Sequence, residues 1–295
     1  MTLDELLATT QRLNASAEAL AAVAASLRMH SEDLDVPDTV AERLDAVGAA
    51  LGLDLTSLSA EQCQIALGAV RAFFRQAAEL MDAPDRQPGW LSDDPTLLQS
   101  QGRASMMVAP LLAGLALDLG DLSARLGAPG ARLLDLGTGT GWLAIALAQT
   151  FPAATVVGVD LAEAPLSLAR ANVTAAGLDD RVVLRLGDAA DLDEREAFDL
   201  VWGPGPFLGA DLVPRILTGA HTALRPGGWV VFGRYAGPDD PLASALIDLR
   251  VVRSGGHPWS NAEGEELLAD TGFFDISTPP RRWSAPMVFT VGRRA

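Results

Sequence analysis

The chain has 295 residues, 49% hydrophobic and 20% charged, enough to bury a sizeable core and to divide into two domains. Its formal net charge is −16 and its basic residues are all arginine, which argues against a nucleic-acid-binding face and excludes chemistry that needs a lysine amine. One cysteine, Cys63, excludes an internal disulfide, and three histidines far apart in sequence (His30, His221 and His257) argue against zinc, so no metal is expected.

The start, Met-Thr-Leu-Asp-Glu, has no basic segment, which predicts a chain without a signal peptide. The longest apolar run, near residues 106–117, is too short to span a bilayer, so a cytoplasmic protein with no membrane partner is expected. Residues 1–83 read as an all-helical domain. Thr2-x-x-Glu5, Thr39-x-x-Glu42 and Ser59-x-x-Gln62 each fit a capping box, in which hydroxyl and third residue satisfy each other's backbone donors. Helical spacing follows each: Leu3, Leu6 and Leu7; Val40, Leu44, Val47 and Leu51, stopped by Gly52; Ile65, Phe73 and Leu80. Residues 16–29 read as a further helix, with Leu20, Val23 and Leu27. No acid–base cluster stands out here, and packing, dimerisation or a lid over a site are the roles open to it.

Residues 84–130 read as a linker and helices leading into a sheet. Pro84, Pro88, Gly89 and Pro95 punctuate it, and Asp94-Pro95 reads as the cap and first turn of a helix. From residue 131 strands and helices alternate, which points to a parallel sheet covered on both faces. Strands are expected at 133–136, 155–159, 182–186, 198–202 and 229–233. A helix at 262–270 and a closing hairpin of strands at 274–278 and 287–292 follow.

Residues 131–144, ARLLDLGTGTGWLA, organise this half. A short apolar strand breaks into Gly137-Thr138-Gly139-Thr140-Gly141 and resumes as an apolar helix. Glycine lets the backbone turn sharply and approach a ligand closely, and this order builds a nucleotide-binding crevice at the edge of a parallel sheet. The spacing is G-x-G-x-G, with Trp142 where a dinucleotide fingerprint has glycine. Asp135, two residues ahead of the loop, would repel a pyrophosphate but accept a hydrogen bond from an ammonium group. Asp160, at the end of the second strand, can accept from both hydroxyls of a ribose, a feature also found in NAD enzymes.

The glycine loop, Asp160, the Gly187-Asp188-Ala189 turn after the third strand and Leu224-Arg-Pro-Gly-Gly228 before the fifth occur in the order of one family. Over roughly residues 95–295 the chain resembles the class I S-adenosylmethionine-dependent methyltransferases, small-molecule type with an N-terminal helical domain. The resemblance implies an α/β fold with a seven-stranded, mostly parallel Rossmann-like sheet. It implies S-adenosyl-L-methionine as cofactor, S-adenosyl-L-homocysteine as product, and 131–295 as the cofactor-binding domain. It assigns Asp135, Gly137, Thr138, Gly139, Gly141, Asp160, Leu161, Asp188, Ala189 and Trp202 to the cofactor, with Asp188 accepting from the adenine amino group. It also implies a helix before the sheet that closes over the site, making Trp90, Gln101 and Arg103 candidates for the substrate pocket. A homodimer through the N-terminal helices is expected on the same ground.

The sulfonium methyl is already activated, so such an enzyme chiefly holds a nucleophile in line and excludes water. The loop after the fourth strand reads Trp202-Gly-Pro-Gly-Pro-Phe207. It lacks the Asn/Asp-Pro-Pro-Tyr/Phe of enzymes that methylate glutamine or adenine amines, and the histidine of plant-type and antibiotic O-methyltransferases. What remains is an apolar rim with Phe207, suited to an aromatic or apolar acceptor. His257, in Ser-Gly-Gly-His-Pro-Trp, is a candidate base on a loop near the substrate, and Tyr235, after the fifth strand, a candidate hydrogen-bonding group. His221 reads as a surface residue. Three rival functions stay open: the same fold holding cofactor without methylating, a protein methyltransferase, and an NAD(P) oxidoreductase, against which Trp142 and Asp135 speak.

Overall fold

The computed structural model describes residues 1–89, 94–236, 240–283 and 285–295. The chain forms two compact units, Met1–Pro84 and Asp85–Ala295.

The first unit holds α1 (Leu3–Ser31), α2 (Asp38–Ala50) and α3 (Ala60–Asp82). Two of the expected capping boxes form: Thr2 with Glu5 opens α1, and Ser59 with Gln62 opens α3. The third does not. α2 starts at Asp38, ahead of Thr39, with Pro37 as its N-cap and no side-chain cap; the fixed φ of proline sets the entry to the helix. The separate helix expected at 16–29 is the second half of α1, because no glycine or proline interrupts residues 3–31. Leu27, Cys63 and Leu67 make a small core, with Val23, Leu55 and Leu58 packed on it. Residues 1–18 are exposed throughout.

The second unit opens with α4 (Pro95–Ser105), α5 (Val108–Ala116) and α6 (Leu122–Leu126). Asp94 caps α4 by accepting from the N–H groups of Thr96 and Leu97, as the Asp-Pro pair predicts. Then come β1 (Arg132–Leu136), α7 (Trp142–Thr150), β2 (Thr155–Asp160), α8 (Glu163–Ala175), β3 (Val182–Leu186), β4 (Phe198–Pro204), α9 (Val213–Ala223) and β5 (Leu224–Tyr235). α10 (Pro241–Arg253), α11 (Asn261–Asp270), β6 (Phe274–Ser277) and β7 (Met287–Arg293) complete it. Helix α10 is not expected from the sequence; its Leu242, Leu246, Leu249 and Val252 are exposed while Ile247 and Val251 are buried.

The sheet has seven strands in the order β3-β2-β1-β4-β5-β7-β6. β1 to β5 run parallel, β7 pairs antiparallel with β5, and β6 antiparallel with β7. The expected mostly parallel α/β sheet is therefore present. One face packs Leu112, Leu143, Leu147, Trp202 and Phe289; the other packs Leu136, Val201, Ile216, Phe232 and Leu268. Burial on both faces explains why the strands read as continuous apolar runs. Two edges differ from expectation. β4 runs on through Gly203 and Pro204, paired with Phe232 and Gly233. Leu224-Arg-Pro-Gly-Gly228, expected as a turn, lies inside β5, with a register shift opposite Phe198–Leu200 and Gly227 at φ 78°. Because β2 and β4 flank β1 on opposite sides, strand order reverses between β1 and β4. Such a reversal is where ligands bind in open parallel sheets, beyond the carboxyl ends of the strands.

Candidate functional site

The glycine loop joins β1 to α7 at that reversal. Gly137, Gly139 and Gly141 have φ of 65°, 55° and 77°, left-handed values that strain any residue with a Cβ. The Thr138 N–H donates to the Val159 carbonyl at 3.0 Å, and Gly141 N–H to the Thr138 carbonyl at 2.9 Å. Thr138 turns its hydroxyl inward to Asp135, donating at 2.7 Å. Gly158, opposite Asp135 on β2, makes room: a Cβ there would stand 2.6 Å from Thr138 Oγ1. At Gly139 a Cβ would meet no protein atom within 4 Å, so the backbone there is open.

Three carboxylates stand on β1 or just at the ends of β2 and β3, and each is fixed differently. Asp135 is 1% exposed. Burial pushes its carboxyl up to about 7, opposed by the Thr138 hydrogen bond and reinforced by the charge of Asp160. Asp160 accepts from Gly139 N–H at 2.7 Å with one oxygen and from Ala162 N–H at 2.9 Å with the other. Burial raises its pKa and these backbone bonds lower it, with burial the larger effect. Each oxygen keeps a lone pair for a further donor. Leu161, next in line, is exposed. Asp188 caps the short turn Ala189–Asp191, accepting from Ala190 N–H at 2.8 Å. Gly187 N–H donates to the Asp160 carbonyl at 2.9 Å, so the turns beyond β2 and β3 are tied together.

α4 lies directly on the loop, through residues that sequence reasoning missed. Gln99 Oε1 accepts from the Trp142 indole at 2.6 Å, and Asn172 on α8 binds both Gln99 and the Thr140 carbonyl. Gly102 faces Thr140 and Trp142 with no space for a side chain. The sequence signal was there: glycine inside a helix costs about 1 kcal/mol and calls for a packing reason. Of the pocket candidates on this segment, Arg103 is exposed and stacks over the Trp142 ring at 4.1 Å. Gln101 is half-buried. Trp90 lies outside the described residues.

The rim beyond β4 and β5 gathers the remaining candidates. Phe207 sits in the short turn Gly205–Phe207, 41% exposed, its ring edge-on to Tyr235 at 6.3 Å. Burial raises the Tyr235 pKa, partly offset by the Arg250 charge. The loop after α10 presses on this turn: a Cβ at Gly256 would stand 2.6 Å from the Pro206 carbonyl oxygen. His257 on that loop is exposed, 4.4 Å ring to ring from Trp259 and 3.7 Å from Glu263 Oε1. Two side chains differ from expectation. Trp202 is 4% exposed and stands edge-on to Phe289 in the core, its ring filling the space above Gly233; strand alternation turns it into the sheet face instead of the crevice. His221 is half-buried against the Phe273 ring at 4.9 Å, and burial lowers its pKa.

Comparison with known proteins matches residues 133–228 to the family described as a methyltransferase domain. By sequence the chain is similar to the release factor glutamine methyltransferase of Cereibacter sphaeroides, 42% identical over 115 residues that cover 37% of this chain and 41% of that protein. The chain spans half or less of the length of the curated relatives it matches first. Among solved structures, an O-methyltransferase family protein from Burkholderia thailandensis superposes with a TM-score of 0.69 at 18% identity, over 100% of this chain and 98% of that one. Human N-acetylserotonin methyltransferase in complex with S-adenosylmethionine superposes with a TM-score of 0.66 at 15% identity, again over 100% and 98%. Residues 133–228 thus match a methyltransferase domain, and the chain shares the fold of the solved methyltransferases on which it superposes.

Proposed function

We propose that this protein binds S-adenosyl-L-methionine beyond the ends of β1, β2 and β3 and transfers its methyl group to a small-molecule acceptor. The observation that carries this reading is the left-handed glycine loop at the topological switch, braced by Asp160, with Asp188 in the turn after β3. The residues fit the cofactor. The open backbone at Gly139 admits close approach. The spare lone pairs of Asp160 suit a ribose diol, and Asp188 with Ala189 suits an adenine edge. Asp135 suits the amino-acid ammonium once the Thr138 hydroxyl turns aside. Gly137, Gly141 and Leu161 contribute backbone.

When bound, the cofactor supplies a methyl group already activated by the sulfonium. What the chain's own residues do is orient the acceptor and keep water from it. Phe207 and Tyr235 form an apolar wall suited to an aromatic or apolar acceptor, and the Gly255–His257 loop closes beside them. His257 is engaged with Trp259 and Glu263, so positioning is the main device. The strongly acidic charge fits a small molecule better than nucleic acid. Among the described residues no helix is long and apolar enough to cross a membrane; a cytoplasmic location is part of the proposal. The exposed leucines of α1, Leu3, Leu6, Leu7 and Leu13, support a homodimer in which a second copy covers them.

A second reading, methylation of a protein amide, draws on the similarity to release factor glutamine methyltransferases. The turn after β4, Gly205-Pro206-Phe207, offers no side-chain amide or carboxylate to orient such a group, which favours the first. Thermal-shift titration with S-adenosylmethionine, S-adenosylhomocysteine and NAD side by side tests the cofactor. A ligand at about 100 times its Kd stabilises by about 2.7 kcal/mol. A shift with the adenosyl compounds alone is expected; a shift with NAD alone overturns the reading. A labelled-methyl screen over small phenols, amines, acids and release-factor peptides then separates small-molecule, protein and non-methylating roles.

A further inference from the structure

Trp142 marks the loop in sequence only as a missing glycine, yet its indole N–H donates to Gln99 Oε1 at 2.6 Å. Gln99 and Asn172, 73 residues apart in sequence, exchange reciprocal amide hydrogen bonds, each 3.1 Å. The second amide hydrogen of Asn172 goes to the Thr140 carbonyl at 2.8 Å. Both lone pairs of Gln99 Oε1 and both hydrogens of Asn172 Nδ2 are thus used. The network also fixes the orientation of each amide, since a turned Asn172 would set its oxygen against the Thr140 carbonyl. The consequence falls on one peptide of the glycine loop. Its carbonyl, Thr140, is gripped by Asn172, and its N–H, Gly141, by the Thr138 carbonyl at 2.9 Å. Helices α4, α7 and α8 converge on it.

We propose that Gln99 and Asn172 are positioning residues: they latch α4 to the glycine loop and hold the Thr140–Gly141 peptide in the orientation the cofactor requires. This rests on the cofactor reading above. The chemistry of the two amides makes the role separable from packing. Asn172→Asp replaces the donor to the Thr140 carbonyl with an acceptor and sets two oxygens against each other. Gln99→Glu keeps the acceptor oxygen that serves Trp142 and Asn172 but replaces the donor to Asn172 Oδ1 with a second oxygen, whereas Gln99→Leu removes both groups.

The test measures S-adenosylhomocysteine affinity by calorimetry, thermal stability, and amide exchange of residues 95–105 and 137–141 in the free protein. Asn172→Asp and Gln99→Leu are each expected to weaken binding roughly tenfold and to speed exchange in those two segments. Their combination is expected to bind no worse than Asn172→Asp alone, because both break one device. Gln99→Glu, which keeps the shape of glutamine but sets an oxygen against Asn172 Oδ1, should weaken binding as Asn172→Asp does, a loss that packing alone would not give. Should Asn172→Asp fail to fold, Gln99→Leu and Gln99→Glu, each expected to weaken binding, carry the comparison. Wild type that binds while Gln99→Leu binds equally well overturns the latch. Wild type that does not bind overturns the cofactor reading, and the latch with it.

Discussion

The Asp160 carboxylate accepts the Gly139 backbone N–H at 2.7 Å, across the gap between β2 and the glycine loop. This one bond ties the residue proposed to hold the ribose to the loop proposed to pass beneath the cofactor. Asp160→Ala therefore removes two things together: an acceptor for the diol and a brace on the loop. A hydrogen bond to a charged acceptor is worth about 1.5–3 kcal/mol, so S-adenosylhomocysteine affinity should fall by roughly tenfold or more. Calorimetry on the purified variant reads it directly. Unchanged affinity would move the ribose site elsewhere.

Asp135 gives a pH dependence with a definite sign. Its carboxyl is held near 7 by burial, well above the usual carboxylate range. Between the ordinary carboxylate value and about 7 the folded state binds more protons than the unfolded one, so stability from this group falls as pH rises through that window. An ammonium ligand prefers the ionised form. S-adenosylhomocysteine affinity should therefore rise roughly tenfold between about pH 6 and pH 8, with a proton released on binding at the lower pH. Asp135→Asn should flatten both the stability slope and the affinity slope. Equal slopes in wild type and variant would take Asp135 out of the ligand's reach.

Much of the site was legible because its parts are local. The glycine loop, and the carboxylates at the ends of β2 and β3, follow from short spacings and from where apolar runs stop. Strand parity was harder. Trp202 precedes the rim turn in sequence, but it shares a sheet face with Leu200 and packs on Phe289, which only the strand's register decides. The extent of β5 depended on pairing as well, since Leu224 joins the strand through Phe198. The latch was least legible, because Gln99 and Asn172 meet only once α4 and α8 are both docked. Their composition signalled nothing beyond a polar helix surface. The proposed cofactor contacts are thus written in local sequence, and the device proposed to orient them in tertiary contacts.

His257 tests whether a base is needed. Its ring is exposed, lies against Trp259 and has Glu263 within 3.7 Å, where Glu263 also closes the capping box of α11 with Ser260. That environment describes a loop-fastening histidine. His257→Ala should keep most of the methyl-transfer rate on whichever acceptor the screen identifies, within about twofold. A loss of several hundredfold, at unchanged cofactor affinity, would make His257 the base and imply a hydroxyl acceptor whose proton must leave.

Gly102 sets propensity against packing. In an exposed helix, alanine for glycine would stabilise by about 1 kcal/mol. Here an added methyl would overlap Thr140 Oγ1 and stand 2.8 Å from the Trp142 ring. Thr140 is buried, and its hydroxyl and carbonyl face α4 and Asn172 respectively, so neither neighbour can yield cheaply. Overpacking of this kind costs about 1–3 kcal/mol, and it should outweigh the propensity gain. Gly102→Ala is therefore expected to lower the melting temperature of the sheet unit. It should also weaken S-adenosylhomocysteine binding, because relief of the clash pushes α4 off the loop. The comparison that isolates this is Gly114→Ala on α5, where an added Cβ meets nothing within 4 Å. That variant should gain stability and bind normally. If both substitutions behave alike, α4 is not seated on the glycine loop.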